Sequence, residues 1–140
     1  MRISKKGRYA VILMFDLAVY YAGAPIKLKD VARRQQISEK YLEQIVAALS
    51  KGGLVKSIRG FQGGYCLKYR PEEYTIGMIL RQTEGDLTPV TYDVNDTLEK
   101  QSVIATVWEE LGEAINQVVD HITLRDLMDR QSEQLAQYII

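Results

Sequence analysis

A winged helix-turn-helix followed by a long dimerisation helix, mainly α with a small β-hairpin wing, is the fold class this chain predicts. Three observations predict it. Apolar residues recur at helical spacing from Ala10 to Leu49, broken only by short turns containing Gly, Pro or Ser. A glycine-tipped pair of β-like runs follows at once. A heptad-like stretch then fills much of the second half. The predicted organisation is a winged unit over residues 1–83, a loop over 84–96, dimerisation helices over 97–130 and a C-terminal tail over 131–140.

Ala10, Val11, Met14, Leu17, Ala18 and Tyr21 space a first helix from Ser4 to about Tyr21, which Gly23 and Pro25 end. Leu28 to Gln35 forms a second, short helix with Val31 and Ala32 inward and Lys29, Arg33 and Arg34 outward. Gln36-Ile37-Ser38 is a tight connection, and Ser38 is a suitable N-cap. The third helix, Glu39 to Ser50, buries Leu42, Ile45, Val46 and Leu49 and stops at Gly52-Gly53. Leu54–Ile58 and Tyr65–Tyr69 are the wing strands. Arg59-Gly60-Phe61-Gln62-Gly63-Gly64 joins them, its glycines supplying turn conformations that other residues resist.

After Pro71, Thr75 caps a fourth helix, Ile76 to about Thr83. Residues 84–96 read as a loop carrying Gly85, Pro89 and the acids Glu84, Asp86, Asp93 and Asp96. Asp96 and Glu99 have capping-box spacing at the head of a long helix. Along it Ile104, Trp108, Leu111, Ile115, Val118 and Ile122 alternate steps of four and three, the spacing of a coiled-coil seam. Val103, Val107 and Ala114 form a second stripe beside that seam. A helix with two apolar faces needs two partners, so one stripe is expected to cover its own chain and the other to meet a second copy. A last short helix, Leu124 to about Arg130, precedes a tail ending Tyr138-Ile139-Ile140.

The formal net charge is zero, and the zero conceals a division. Residues 1–70 carry 14 Lys/Arg against 4 Asp/Glu, a balance of +10; residues 71–140 carry 4 against 14, a balance of −10. Basic charge segregated in this way points to a polyanion met by the first half alone. On the third helix Lys40, Tyr41, Glu43 and Gln44 lie in the first two turns, which reach base edges when such a helix enters the major groove. Lys40 can donate to guanine O6 or N7, Gln44 can pair with adenine, and Glu43 can accept from cytosine N4. A solvated Glu43 paired with Lys40 along the helix is the other reading. Arg59, directly before Gly60 at the hairpin tip, suits insertion into a narrow minor groove, where the potential is most negative. An ordinary exposed arginine is the alternative. Arg2, Lys5, Lys6, Arg8, Lys27, Ser38, Lys56 and Lys68 are expected phosphate contacts, which position without specifying.

One cysteine, Cys66, and one histidine, His121, exclude an internal disulfide and an all-cysteine or His/Cys metal site within one chain. Cys66 reads as a small strand residue on the face of Lys68, away from Tyr65, Leu67 and Tyr69. Trp108 reads as dimer core, and His121 suits the C-terminal end of its helix. No apolar run reaches the roughly 18 residues of a membrane span, and the first residues lack a signal-peptide core. A cytoplasmic protein without membrane contact is expected. The sequence offers no nucleophile–base constellation and no phosphate-cradling glycine loop, so no catalytic residue is assigned and an enzyme is not expected.

Met1-Arg2-Ile3-Ser4-Lys5-Lys6-Gly7-Arg8-Tyr9-Ala10, Ile37-Ser38-Glu39-Lys40-Tyr41-Leu42-Glu43-Gln44, and Gly53-Leu54-Val55 through Arg59-Gly60 to Gly63-Gly64-Tyr65 resemble the Rrf2 family of bacterial transcription regulators. The resemblance extends to about residue 130. It implies a dimeric winged helix on a pseudo-palindromic operator, with Glu43 and Gln44 reading bases, Arg59 in the minor groove and Lys40 at a more variable position. Many relatives hold an iron–sulfur cluster through three cysteines in the loop before the long helix. Here Glu84 to Asp96 has none, so no cluster of that arrangement, and no cofactor, is expected. The chain thereby looks more like the cluster-free cysteine-metabolism repressors of the family (the CymR type). That likeness implies repression of cysteine or sulfur genes with cysteine synthase as a partner. Tyr138, Ile139 and Ile140 are then candidates to dock in cysteine synthase; a tail packed on its own dimer is the alternative. A reading from another class is a winged-helix adaptor that binds proteins and not DNA.

Overall fold

Orphan backbone donors at the head of each helix decide where the first elements begin. The computed structural model describes residues 2–139, and Ile140 of the candidate tail lies outside the described residues. Helix α1 (Lys5–Tyr20) opens at Ser4, whose side-chain oxygen accepts from the Gly7 N–H. Its Ala10, Leu13, Met14 and Leu17 are fully buried, which makes α1 the axis of the core. Helix α2 (Leu28–Gln35) closes on Gln36 at φ 55°, a left-handed conformation unusual outside glycine. Ser38 then caps α3 (Glu39–Lys51), accepting from the Tyr41 N–H at 3.0 Å. Leu42, Ile45, Val46 and Leu49 are the buried face of α3, as their spacing predicts.

Strands β1 (Val55–Ile58) and β2 (Gly64–Leu67) pair antiparallel, with Val55 opposite Leu67 and Ile58 opposite Gly64. Both are shorter at the base of the wing than the sequence predicts, because a side chain takes over the backbone groups there. The hydroxyl of the fully buried Tyr74 donates to the Leu54 carbonyl at 2.7 Å and accepts from the N–H groups of Lys68 and Tyr69 at 2.9 and 3.0 Å. Burial raises the Tyr74 pKa, so this hydroxyl keeps its proton. A 3-10 turn over Pro71–Glu73 leads to α4 (Ile76–Glu84), capped by Thr75 through the Met78 N–H.

The second half departs from expectation in three places. The single long helix from Asp96 is two helices, a one-turn α5 (Thr97–Lys100) and α6 (Ala105–His121). Asp96 forms no capping box; its carboxylate accepts from the Asp93 N–H instead. The Ser102 hydroxyl donates to the Glu99 carbonyl at 2.7 Å and accepts from the Ile104 N–H, a local alternative to helix hydrogen bonding. Ile104 is therefore the N-cap of α6 and not a mid-helix seam residue. Second, the expected short helix and tail are one element, α7 (Leu124–Ile139). No Gly or Pro follows Leu124, and Leu127, Met128, Gln131 and Leu135 keep helical spacing. Leu127 and Met128 pack against the core.

The third departure concerns the two stripes of α6. Its face toward its own chain is small and polar. Ala105 is buried, Gly112 lies against Pro89, and Asn116 and Asp120 accept from Arg81. Val103, Ile104, Val107, Leu111, Ala114 and Val118 are exposed together, and Ile115 and Ile122 are half-buried. The two stripes thus merge into one apolar face, with Trp108 at its edge, turned toward the loop after α4. The junction of α6 and α7 is joined to the winged unit by backbone bonds from Ile76 N–H to the Ile122 carbonyl and from Leu124 N–H to the Tyr74 carbonyl.

Candidate nucleic-acid interface

Burial of one face of α3 leaves Lys40, Glu43 and Gln44 on the other, all exposed. Among the described residues no ion pair joins Lys40 to Glu43, so the carboxylate stands unpaired on the basic half of the molecule. Tyr41 is half-buried: its ring meets that of Tyr9 at 5.7 Å between centroids, and the Lys5 Nζ lies 5.5 Å from the Tyr9 centroid. The Tyr41 ring is thus committed to joining the first turn of α3 to α1. Ser38 uses its oxygen as the cap acceptor, which leaves its O–H as a donor toward a phosphate. Arg2, Lys5, Lys6 and Arg8 are exposed around the head of α1, and Lys56 is exposed on β1.

At the wing, Arg59 is exposed and Gly60 sits at φ 109°, a conformation glycine adopts without strain. The hairpin is anchored closely. A Cβ on Gly64 would lie 2.5 Å from the Ile26 carbonyl oxygen, and Ile26 and Tyr65 exchange backbone bonds of 2.8 and 2.7 Å. Phe61, 87% exposed at the tip, lies 5.6 Å from Lys27 Nζ, and Lys68 Nζ lies over the Tyr69 ring.

Two supports of this surface have no counterpart in the sequence reading. Asp16 of α1 is fully buried and accepts from Arg34 Nε and Nη2, at 3.0 and 2.7 Å, and from the Gln35 amide at 2.8 Å. Arg34, expected to face outward, turns back to this clamp and stacks on Tyr20 at 4.2 Å. The hydrogen bonds it donates to Asp16 raise the Arg34 pKa further. The clamp sets α2 against α1 and so fixes where α3 is held. Its signal in the sequence was Asp16 itself, the lone charge in the apolar run 9–22. Glu84, at the end of α4, is the other support. It accepts from the Ser4 N–H at 3.0 Å and from the Ser4 hydroxyl, which places a carboxylate at the positive end of α1.

Cys66 is buried, lining a small cavity with Leu17, Ala18 and Tyr21, so this small strand residue serves packing. His121 holds the Gln117 carbonyl at 2.8 Å through Nδ1. The loop 85–96 contains no cysteine, and among the described residues no three His, Cys, Asp or Glu side chains group to hold a metal. This donor set does not fit a cluster held by three cysteines. No helix among the described residues is long and apolar enough to cross a membrane. Tyr138 is exposed on the last turn of α7, and Ile139 ends that helix.

A family model described as "Rrf2: Iron-dependent Transcriptional regulator" matches residues 3–130. The HTH-type transcriptional regulator CymR of Bacillus subtilis (strain 168) is 39% identical over 142 residues, 99% of this chain and 100% of the relative. The HTH-type transcriptional regulator IscR of Aliivibrio salmonicida (strain LFI1238) is 34% identical over 139 residues, 97% of this chain and 83% of the relative. Among solved structures, one titled "The Structure of CymR (YrzC) the Global Cysteine Regulator of B. subtilis" superposes with a TM-score of 0.79 at 38% identity, covering 93% of this chain and 98% of that one. T. potens IscR superposes with a TM-score of 0.79 at 42% identity, over 96% of this chain and 90% of that one. A winged helix with a basic, solvent-facing third helix, matched along its length by these regulators, belongs to the Rrf2 family of DNA-binding transcriptional regulators.

Proposed function

We propose that this regulator is a homodimeric repressor that reads a near-palindromic operator with Lys40, Glu43 and Gln44 of α3 and enters the minor groove with Arg59. The observation that carries the reading is Glu43, exposed and unpaired on a face otherwise suited to phosphate. A carboxylate facing phosphates costs binding energy unless a donor such as cytosine N4 awaits it. The exposed apolar face of α6, with Val107, Leu111 and Val118 at its centre, suits a second copy. A two-fold pair would set two α3 helices in successive major grooves, roughly 34 Å apart.

The relative titled as a global cysteine regulator supports targets in cysteine or sulfur metabolism. The missing loop cysteines support control without an iron–sulfur cluster there, and the transcriptional regulators it is similar to support a purely binding role in the cytoplasm. Cysteine synthase as a partner is the finest part of the proposal. Docking of Tyr138–Ile140 would require the last turn of α7 to unwind, since the helix runs to Ile139. Unchanged cysteine synthase affinity after deletion of Tyr138 to Ile140 would remove that part alone.

Glu43→Ala tests the base-reading role. The variant is expected to keep non-specific affinity while losing discrimination at one base pair per half-site, about 1–3 kcal/mol by competition anisotropy. An adaptor that binds protein and not DNA would show no change of DNA preference, and that result would contradict the proposal.

A further inference from the structure

We propose that the cavity between the 86–92 loop and α6 binds a small zwitterion of the free amino-acid class. Its regulatory consequence rests on the repressor reading above; its ligand binding does not. The cavity measures about 460 Å³, within the range of small-ligand sites. Leu87, Pro89 and Trp108 supply apolar and aromatic wall, and Lys100, Asp86, Glu109 and Glu113 supply charge of both signs. Among the described residues none of these four charges is in an ion pair, although Arg81 pairs with Asp120 and Arg125 with Asp129 in the same half. One cation and three carboxylates left unpaired on a common cavity offer partners to a ligand carboxylate and a ligand ammonium. The Trp108 face suits an apolar side chain or the ammonium edge.

Tyr92 adds an independent observation. It lines the same cavity, and its hydroxyl is shut off from solvent with no hydrogen-bond partner. Burial raises its pKa, and Glu99 and Glu109 raise it further, so the group remains a donor. A ligand carboxylate, reached by a small shift of the loop, would satisfy it.

The loop is also placed to report occupancy. It leaves α4 at Gly85, at φ 75°, directly after Glu84. Glu84 is bonded to Ser4 at the head of α1, beside Lys5 and Lys6. Movement of residues 86–92 would therefore pull on a carboxylate seated within the phosphate-facing surface.

Trp108 is the single tryptophan of the chain, so its emission reads this cavity directly. Purified protein titrated with the standard amino acids at up to millimolar concentration is expected to show a saturable change with at least one of them. The matching amine without a carboxylate and the matching N-acetyl acid should each bind about tenfold or more weakly. Glu109→Gln and Lys100→Met should weaken the zwitterion similarly while leaving thermal melting and unliganded DNA affinity unchanged. A flat response to every amino acid, or equal binding of the amine, would overturn the inference. A normal Trp108 response in a protein that fails to bind DNA would overturn the repressor reading and leave this site standing.

Discussion

Removing the Arg34 guanidinium would leave the Asp16 carboxylate buried with only the Gln35 amide as donor. An unpaired buried charge is costly, so Arg34→Met is predicted to lower stability by about 3 kcal/mol in urea denaturation. The Tyr74 hydroxyl serves three backbone groups at the base of the wing. Tyr74→Phe is predicted to cost about 1–3 kcal/mol by the same measurement, since it strands those groups without adding a cavity. Neither role was legible beforehand. The partners of Asp16 lie 18 and 19 residues away, and Tyr74 reaches Leu54 across 20. The surface chemistry of Glu43 and Gln44 was legible, because position on one helix face is a local property of the sequence.

At the scale of elements, local signals worked where a cap or a glycine stood at the boundary. Ser38, Thr75 and the left-handed Gln36 turn bound α2, α3 and α4 within a residue of expectation. They failed from residue 96 onward. A heptad spacing continues through Ile104 although the backbone does not, because Ser102 offers the chain competing hydrogen bonds that periodicity ignores. The extension of α7 to Ile139 lacked any stop signal to weigh against it, and its packing on α1 is a tertiary fact. Leu111 stands at the centre of the exposed face of α6, 45% exposed, so a charge there is tolerated by the lone chain. Leu111→Arg is predicted to leave the far-UV spectrum intact and to shift sedimentation from dimer to monomer. A variant that remains dimeric would place the interface elsewhere.

For the whole molecule, the division of charge into +10 and −10 halves now coincides with structure. The basic half is α1 through β2, and the acidic half runs from the 3-10 turn and α4 through the loop, α5, α6 and α7. Acid should loosen the contacts of α6 and α7. Arg81 holds Asp120 below the usual carboxylate range, and the Thr123 N–H and hydroxyl do the same for Asp126. A carboxyl with a lowered folded pKa stabilises the fold above its unfolded value and loses that contribution as pH falls through the folded one. Stability is therefore predicted to be level near neutrality and to decline below about pH 4, followed by circular dichroism.

Selection of duplexes from a randomised library by the purified protein tests the central claim most directly. The account predicts an enriched near-palindrome with half-site centres about 10 base pairs, or a multiple, apart, and binding that weakens steeply with salt. Recovery of no common sequence, or of a single asymmetric site bound equally at low and high salt, would contradict it.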